Sequence, residues 1–137
     1  MRRFHEAKRD GLKSVTVWGT GKPKREFLFV DDMADACLHV AGLDADTYAT
    51  ATEPMLSHLN LGTGEDIEIG EVARMIAQIV GYSGDILFDT DKPDGTPRKL
   101  MDVSRLDHLG WRAKTSLKDG LNQTYDWYLA NEATRRG

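Results

Sequence analysis

Trp18, Lys22, Lys24 and Arg25 are gathered around one glycine turn, Gly19-Thr20-Gly21, which brings an aromatic face and three cations to a single loop. Ammonium and guanidinium groups bond phosphate oxygens, and an indole offers a surface for a flat ring, so the set suits a ligand carrying both. A hairpin with a solvated basic tip accounts for the same residues, and composition does not separate the two readings. Asp31 and Asp32 are an adjacent acid pair that precedes an amphipathic run, and they read as N-caps of a helix rather than as a general acid and base. His5, His39, His58 and His108 show no ligand spacing with one another or with Cys37, and no G-x-S-x-G elbow is present. Cys37 falls on an apolar stripe with no cation beside it, which predicts an inert buried thiol. Neither Gly19-Thr20-Gly21 nor Gly62-Thr63-Gly64 continues to the third glycine of a dinucleotide fingerprint, and Gly21-Lys22 lacks the glycine of a phosphate loop five positions earlier.

The elements that must position these residues follow from periodicity. Val15–Trp18 and Arg25–Val30 read as strands on either side of the glycine turn, Ser57–Leu61 as a strand by its alternation, and Asp85–Phe88 as a short strand. Four helices are predicted. The first covers the opening residues, anchored by Phe4 and Ala7 and stopped by Gly11, and begins without a cap, as the C-terminal part of a longer chain would. The second runs from about Asp32 to Leu43 with Met33, Ala36, Cys37, Val40 and Ala41 as its buried stripe, and leaves His39 at the surface. The third covers Ile67–Val80 and stops at Gly81, and the last runs from about Leu117 to Ala133, capped by Ser116, with Leu117, Leu121, Tyr125, Tyr128 and Leu129 inward. Asp44–Pro54 reads as a loop, Lys92–Lys99 as a segment no regular element can hold, and Asn131–Gly137 as a fraying end.

The chain has 137 residues, 40% of them apolar and 29% charged, with a net charge of −4. That is one domain of soluble globular composition, 1–137, whose dispersed cations do not suit general nucleic-acid binding. The single cysteine forms no internal disulfide, no run has the length and apolarity of a membrane span, and a reducing cytoplasm is the expected home.

Three stretches, VWGTGKPKREFLFVDDMADA, HLNLGTGEDIEIGEVARMIAQIVG and DVSRLDHLGWRAKTSLKDGLNQTYDWYL, resemble the C-terminal, substrate-binding part of the extended short-chain dehydrogenase/reductase superfamily, the nucleotide-sugar epimerases, reductases and dehydratases. RRFHEAK, PMLSH and KPDGTPRKL are similar to the branch that epimerises and reduces a GDP-keto-sugar. The resemblance implies an α/β lobe in which Arg3, Trp18, Arg25 and Asp94, with Lys99 as a further contact, hold the GDP part of the substrate. It also implies NADP(H) bound by an N-terminal cofactor domain, and a homodimer of the complete enzyme. Without the resemblance, Trp18 reads as a core residue, Arg25 as a strand-edge charge and Asp94 as a turn former. The family's Rossmann glycine loop and Tyr-x-x-x-Lys pair are not in this sequence: Thr52, Ile86, Leu129 and Glu132 stand four residues after the four tyrosines. The expectation is therefore a lobe that binds no cofactor and is inactive alone. The alternatives are the lobe of an enzyme acting on another nucleotide sugar, or an interaction module that keeps the fold.

Overall fold

Phe4 and Ala7 sit one turn apart on α1 (Arg2–Arg9), and this pair seats the helix against the core while its arginines and lysine face water. The computed structural model describes residues 1–131, which form two compact units.

The first unit comprises Met1–Arg25, Ile67–Arg98 and the chain from Lys118 onward. Its sheet is the parallel pair β1 (Ser14–Trp18) and β4 (Asp85–Asp89), in register from Ser14 opposite Asp85 to Trp18 opposite Asp89. Parallel strands need a crossover, and α4 (Ile69–Val80) supplies the helix that enters β4. Its Val72, Ala73, Ala77 and Val80 are buried at helical spacing. Gly81 ends it in the left-handed region at φ +71°, so that Tyr82 N–H can return to the Ala77 carbonyl at 2.9 Å, as the sequence predicts for that glycine. Tyr82 meets Phe4 edge-on at 5.7 Å. On α6 (Leu117–Ala130), Tyr125 and Tyr128 complete the same core and His5 packs against both rings.

The second unit comprises Glu26–Asp66 and Lys99–Leu117. Its helices are α2 (Val30–Ala41), α3 (Ala45–Ala49) and α5 (Ser104–His108), and its core is Ala36, Leu106 and Trp111 with Leu28, Val40, Leu61 and Ala113 packed around them. Three short strands, β3 (Asp66–Glu68), β2 (Lys24–Glu26) and β5 (Arg98–Lys99), pair in that order.

Several local expectations are corrected. The strand predicted over Arg25–Val30 ends at Glu26, and Val30 already begins a helix whose N-cap is Phe29. Asp31 and Asp32 are therefore not N-caps. Asp32 is buried, and its carboxylate accepts from the Thr115 and Lys114 amides at 2.8 and 3.1 Å and from the Thr115 hydroxyl at 3.1 Å. Cys37, Met33 and Ala41 are exposed rather than buried, and the stripe of α2 that faces the core is Asp32, Ala36 and Val40. His39 is half-buried, with Nε2 2.8 Å from the Leu109 carbonyl. Ser57–Leu61 is irregular: Leu61 packs into the core as the alternation suggests, but no neighbouring backbone ladders with it. The loop expected over Asp44–Pro54 contains α3, because Asp44 caps it by accepting from the Thr47 amide at 2.7 Å. Lys92–Lys99 ends in β5, and on α6 Leu129 is exposed. The predicted end of that helix at Ala133, and the fraying expected beyond Asn131, lie outside the described residues.

Candidate functional site

Strand β1 stops at Trp18 because the next residue, Gly19, closes the ladder with its N–H on Asp89 O at 2.9 Å and then turns away at φ +79°. A side chain at Gly19 has no room, since a Cβ there would stand 2.3 Å from Asp94 Oδ1. That carboxylate holds the turn: Oδ1 accepts from the Thr20 amide at 2.8 Å and Oδ2 from the Thr20 hydroxyl at 2.6 Å. Gly21, at φ +75°, lies under the Phe88 ring, and its carbonyl accepts from Gly70 N–H at 2.8 Å, which fixes the turn to the first turn of α4.

Arg25 closes the other side of this loop. Its Nη1 donates to the Lys24 carbonyl at 2.6 Å and the Thr96 carbonyl at 2.7 Å, while Lys24 N–H donates to Pro97 O at 2.8 Å. The Asp94–Pro97 segment is thus held by Thr20 at one end and by Lys24 and Arg25 at the other. These contacts engage Nη1 of the guanidinium, so Nη2 and Nε remain directed donors for an anion.

Trp18 is 65% exposed, which rules out the core reading of that residue. The Arg3 guanidinium carbon lies 5.9 Å from its ring centroid, within cation–π range. A cleft of about 350 Å³ runs beside the pair, between Met1, Arg3 and Phe4 of the first helix and Val15–Trp18 of β1. The structure therefore pairs Arg3 with Trp18 and joins Asp94 and Arg25 through one clasped segment, all in the first unit. Lys99 is exposed on β5 and belongs to the second unit.

The Asp94 carboxyl is held below its ordinary value of 3.8, first by the Thr20 hydroxyl, then by the Thr20 amide, with Lys22 adding a favourable charge. It is a fixed anion at neutral pH. Each of its oxygens has a second lone pair, so a ligand donor can be accepted beside Thr20.

Thr20 was not singled out by sequence reasoning, although a hydroxyl between two glycines is a signal for a turn bonded through its side chain. Glu26 was missed as well. In the second unit its Oε1 accepts from the Thr63 and Gly64 amides at 2.5 and 2.7 Å and Oε2 from the Met101 amide at 3.0 Å. Gly62-Thr63-Gly64 is therefore a turn wrapped on a carboxylate, and a Cβ on Gly62 would stand 2.3 Å from Glu26 Oε1. Among the described residues there is no group of three or more His, Cys, Asp or Glu able to hold a metal ion, and no helix is long and apolar enough to cross a membrane.

A parallel strand pair with a helix in its crossover and a ligand-sized cleft beside β1 make a mixed α/β arrangement. Residues 1–70 match the NAD dependent epimerase/dehydratase family, and the chain belongs to that family. It is 54% identical, over its whole length, to the GDP-L-fucose synthase of Escherichia coli (strain K12), of which it covers 43%. Among solved structures it resembles a GDP-6-OMe-4-keto-L-xylo-heptose reductase from C. jejuni, with a TM-score of 0.84, 36% identity, and coverage of 95% of this chain and 46% of that one. It also resembles a GDP-L-fucose synthetase from Naegleria fowleri bound to NADP, with a TM-score of 0.81 and 26% identity over 99% of this chain and 40% of that one. The chain thus spans about two-fifths of the curated relatives it matches.

Proposed function

We propose that this chain is the GDP-sugar-binding part of a GDP-L-fucose synthase, the NADPH-dependent epimerase/reductase that converts GDP-4-keto-6-deoxy-D-mannose to GDP-L-fucose. The observation that carries the proposal is the 54% identity to the E. coli enzyme across the full chain. The clasped loop and the exposed Arg3–Trp18 pair supply chemistry that fits it. In this reading Arg3 and Arg25 neutralise the diphosphate, the Trp18 indole forms a wall of the site, and the ionised Asp94 accepts from the N1 and N2 donors of guanine. Lys99 contributes a further positive charge toward the nucleotide. NADP(H) and the proton-transfer groups belong to the portion of the relatives that this chain does not span, so turnover requires that portion, and the complete enzyme works as a homodimer in the cytoplasm.

Calorimetric titration of GDP, ADP and UDP tests the reading. GDP is expected to bind most tightly, with affinity falling as salt rises, and Arg25→Ala is expected to cost about 1.5–3 kcal/mol as a lost charge-assisted bond. Equal affinity for the three nucleotides would remove the base-reading role of Asp94 and, with it, the assignment to a GDP-sugar.

A further inference from the structure

Thr20 determines where the Asp94 carboxylate points. An aspartate has only a broad, two-fold preference about its last torsion, so a single bond leaves the plane of its carboxylate undetermined. Thr20 makes two bonds, one to each oxygen, with its amide on Oδ1 at 2.8 Å and its hydroxyl on Oδ2 at 2.6 Å. A threonine hydroxyl can accept as well as donate. Here its direction is decided by Lys22, whose amide donates to Thr20 Oγ1 at 3.2 Å and leaves the hydroxyl proton for the carboxylate. The backbone beside the pair leaves no slack, because Gly19 is buried at φ +79° and any Cβ there would meet Asp94 Oδ1. Thr20 and Asp94 are themselves exposed, so the remaining lone pairs of both oxygens stay accessible to a ligand.

We propose that Thr20 is a positioning residue that sets the base specificity of the nucleotide site by presenting Asp94 as a fixed pair of acceptors, an inference that rests on the reading given under Proposed function. Guanine carries two adjacent donors, N1–H and the exocyclic amino group, whose parallel bonds match the two oxygens of one carboxylate. Adenine sets a ring-nitrogen acceptor against the same oxygens, and uracil flanks its one ring donor with two carbonyls. Hypoxanthine keeps N1–H but lacks the amino group. A carboxylate held in plane separates these four, whereas one free to rotate offers a single oxygen to whatever donor arrives. The Thr20 hydroxyl is also the largest of the causes that hold the carboxyl below its ordinary value, and so keeps it free of a proton that would turn one acceptor into a donor. Arg25 serves the other half of the ligand, so discrimination between bases and grip on phosphate come from different residues of the same loop.

The test is a calorimetric titration of the full chain with GDP, inosine 5′-diphosphate, ADP and inorganic pyrophosphate, in the unmodified protein and in Thr20→Val, Thr20→Ala and Thr20→Ser. The unmodified chain is expected to prefer GDP to ADP by about tenfold, with the inosine nucleotide between them. Thr20→Val and Thr20→Ala keep the amide and lose the hydroxyl, and both are expected to bring GDP to within about threefold of ADP. Pyrophosphate meets only the cations, so its affinity in these variants is expected to stay within about twofold of the unmodified value. Thr20→Ser, which restores the hydroxyl, is expected to restore the preference for GDP. In an Asp94→Asn background Thr20→Val is expected to change nothing further, since the threonine acts through the carboxylate. A preference for GDP retained in both variants that lack the hydroxyl, or a serine variant that discriminates no better than the alanine one, would overturn the proposal. So would an equal loss of pyrophosphate binding, which would give Thr20 a structural role alone. Equal affinity of the unmodified chain for the three nucleotides would overturn the assignment to a GDP-sugar and the role of Thr20 with it, whereas failure of the Thr20 role alone shows only in the variants.

Discussion

Thr20 and Asp94 are separated by 74 positions, and one hydroxyl and one amide bring the acid's loop onto the glycine turn. The carboxyl is depressed from its ordinary 3.8 by those bonds. A depressed carboxyl adds stability that is complete above its unfolded value and is lost as pH falls through its folded value. The clasp is therefore intact at neutral pH and releases only in acid, below about pH 4. Thr20→Val keeps the shape and the amide bond but deletes the hydroxyl donor, the largest cause of the shift. In a carbon-13 titration of side-chain carboxyls, the Asp94 midpoint is expected below 3.8 in the unmodified chain and closer to it in Thr20→Val. An unchanged midpoint would mean that the hydroxyl does not hold the anion. Asp94 and Thr20 also show why a turn former and a ligand-binding residue are hard to separate in sequence: the bonds that build the loop keep the carboxylate ionised and aimed.

At the scale of elements, the central lesson is α2. Its spacing of apolar residues made it a helix in the sequence, and it is one, but the direction of its faces was not legible. Periodicity shows that Met33, Cys37 and Ala41 share a side, and nothing local says that the core lies instead behind Asp32, Ala36 and Val40. The deciding contact is long-range, from the Asp32 carboxylate to the backbone at 114–115. Asp32→Ala would leave two amides without their acceptor in a half-buried setting, and is expected to destabilise the second unit by about 2–3 kcal/mol in urea denaturation. Asp32→Asn, which retains one acceptor, should lose less. A null effect of the alanine variant would show that water replaces the carboxylate at no cost. By contrast, α1, α4 and the strand at Val15 were readable, because each carries its own stop at Gly11, Gly81 or Gly19 and an apolar core face, and the strand at Asp85 was readable from its short apolar run. Ser57–Leu61 failed as a strand for the converse reason: alternation reports which side chains turn inward, and a ladder also requires a neighbour. Of the candidate site, Trp18 and Arg25 were legible from residue type and spacing around the turn. Arg3 and Asp94 came only through the family resemblance, since a helix arginine and an acid in a proline-rich loop carry no signal of their own.

For the whole molecule, the two cores differ in size, and the chain's own chromophores report on them separately. The first unit's core cluster buries Phe4, Val15, Val80, Tyr82, Tyr125 and Tyr128 together with three alanines, whereas the second's is Ala36, Leu106 and Trp111, with Leu109 buried apart from it. Hydrophobic stabilisation scales with apolar area removed from water, so the second unit has the smaller share. Trp111 is 4% exposed and sits in that smaller core, while Trp18 and Trp127 are largely open to solvent. With both exposed indoles replaced by phenylalanine, Trp111 becomes the single emitter and follows the second unit, and the near-ultraviolet signal of the buried tyrosines follows the first. In urea, the Trp111 emission is expected to shift to the red at a lower midpoint than the tyrosine signal, because the second unit melts first. Coincident midpoints would show instead that the units unfold as one cooperative body.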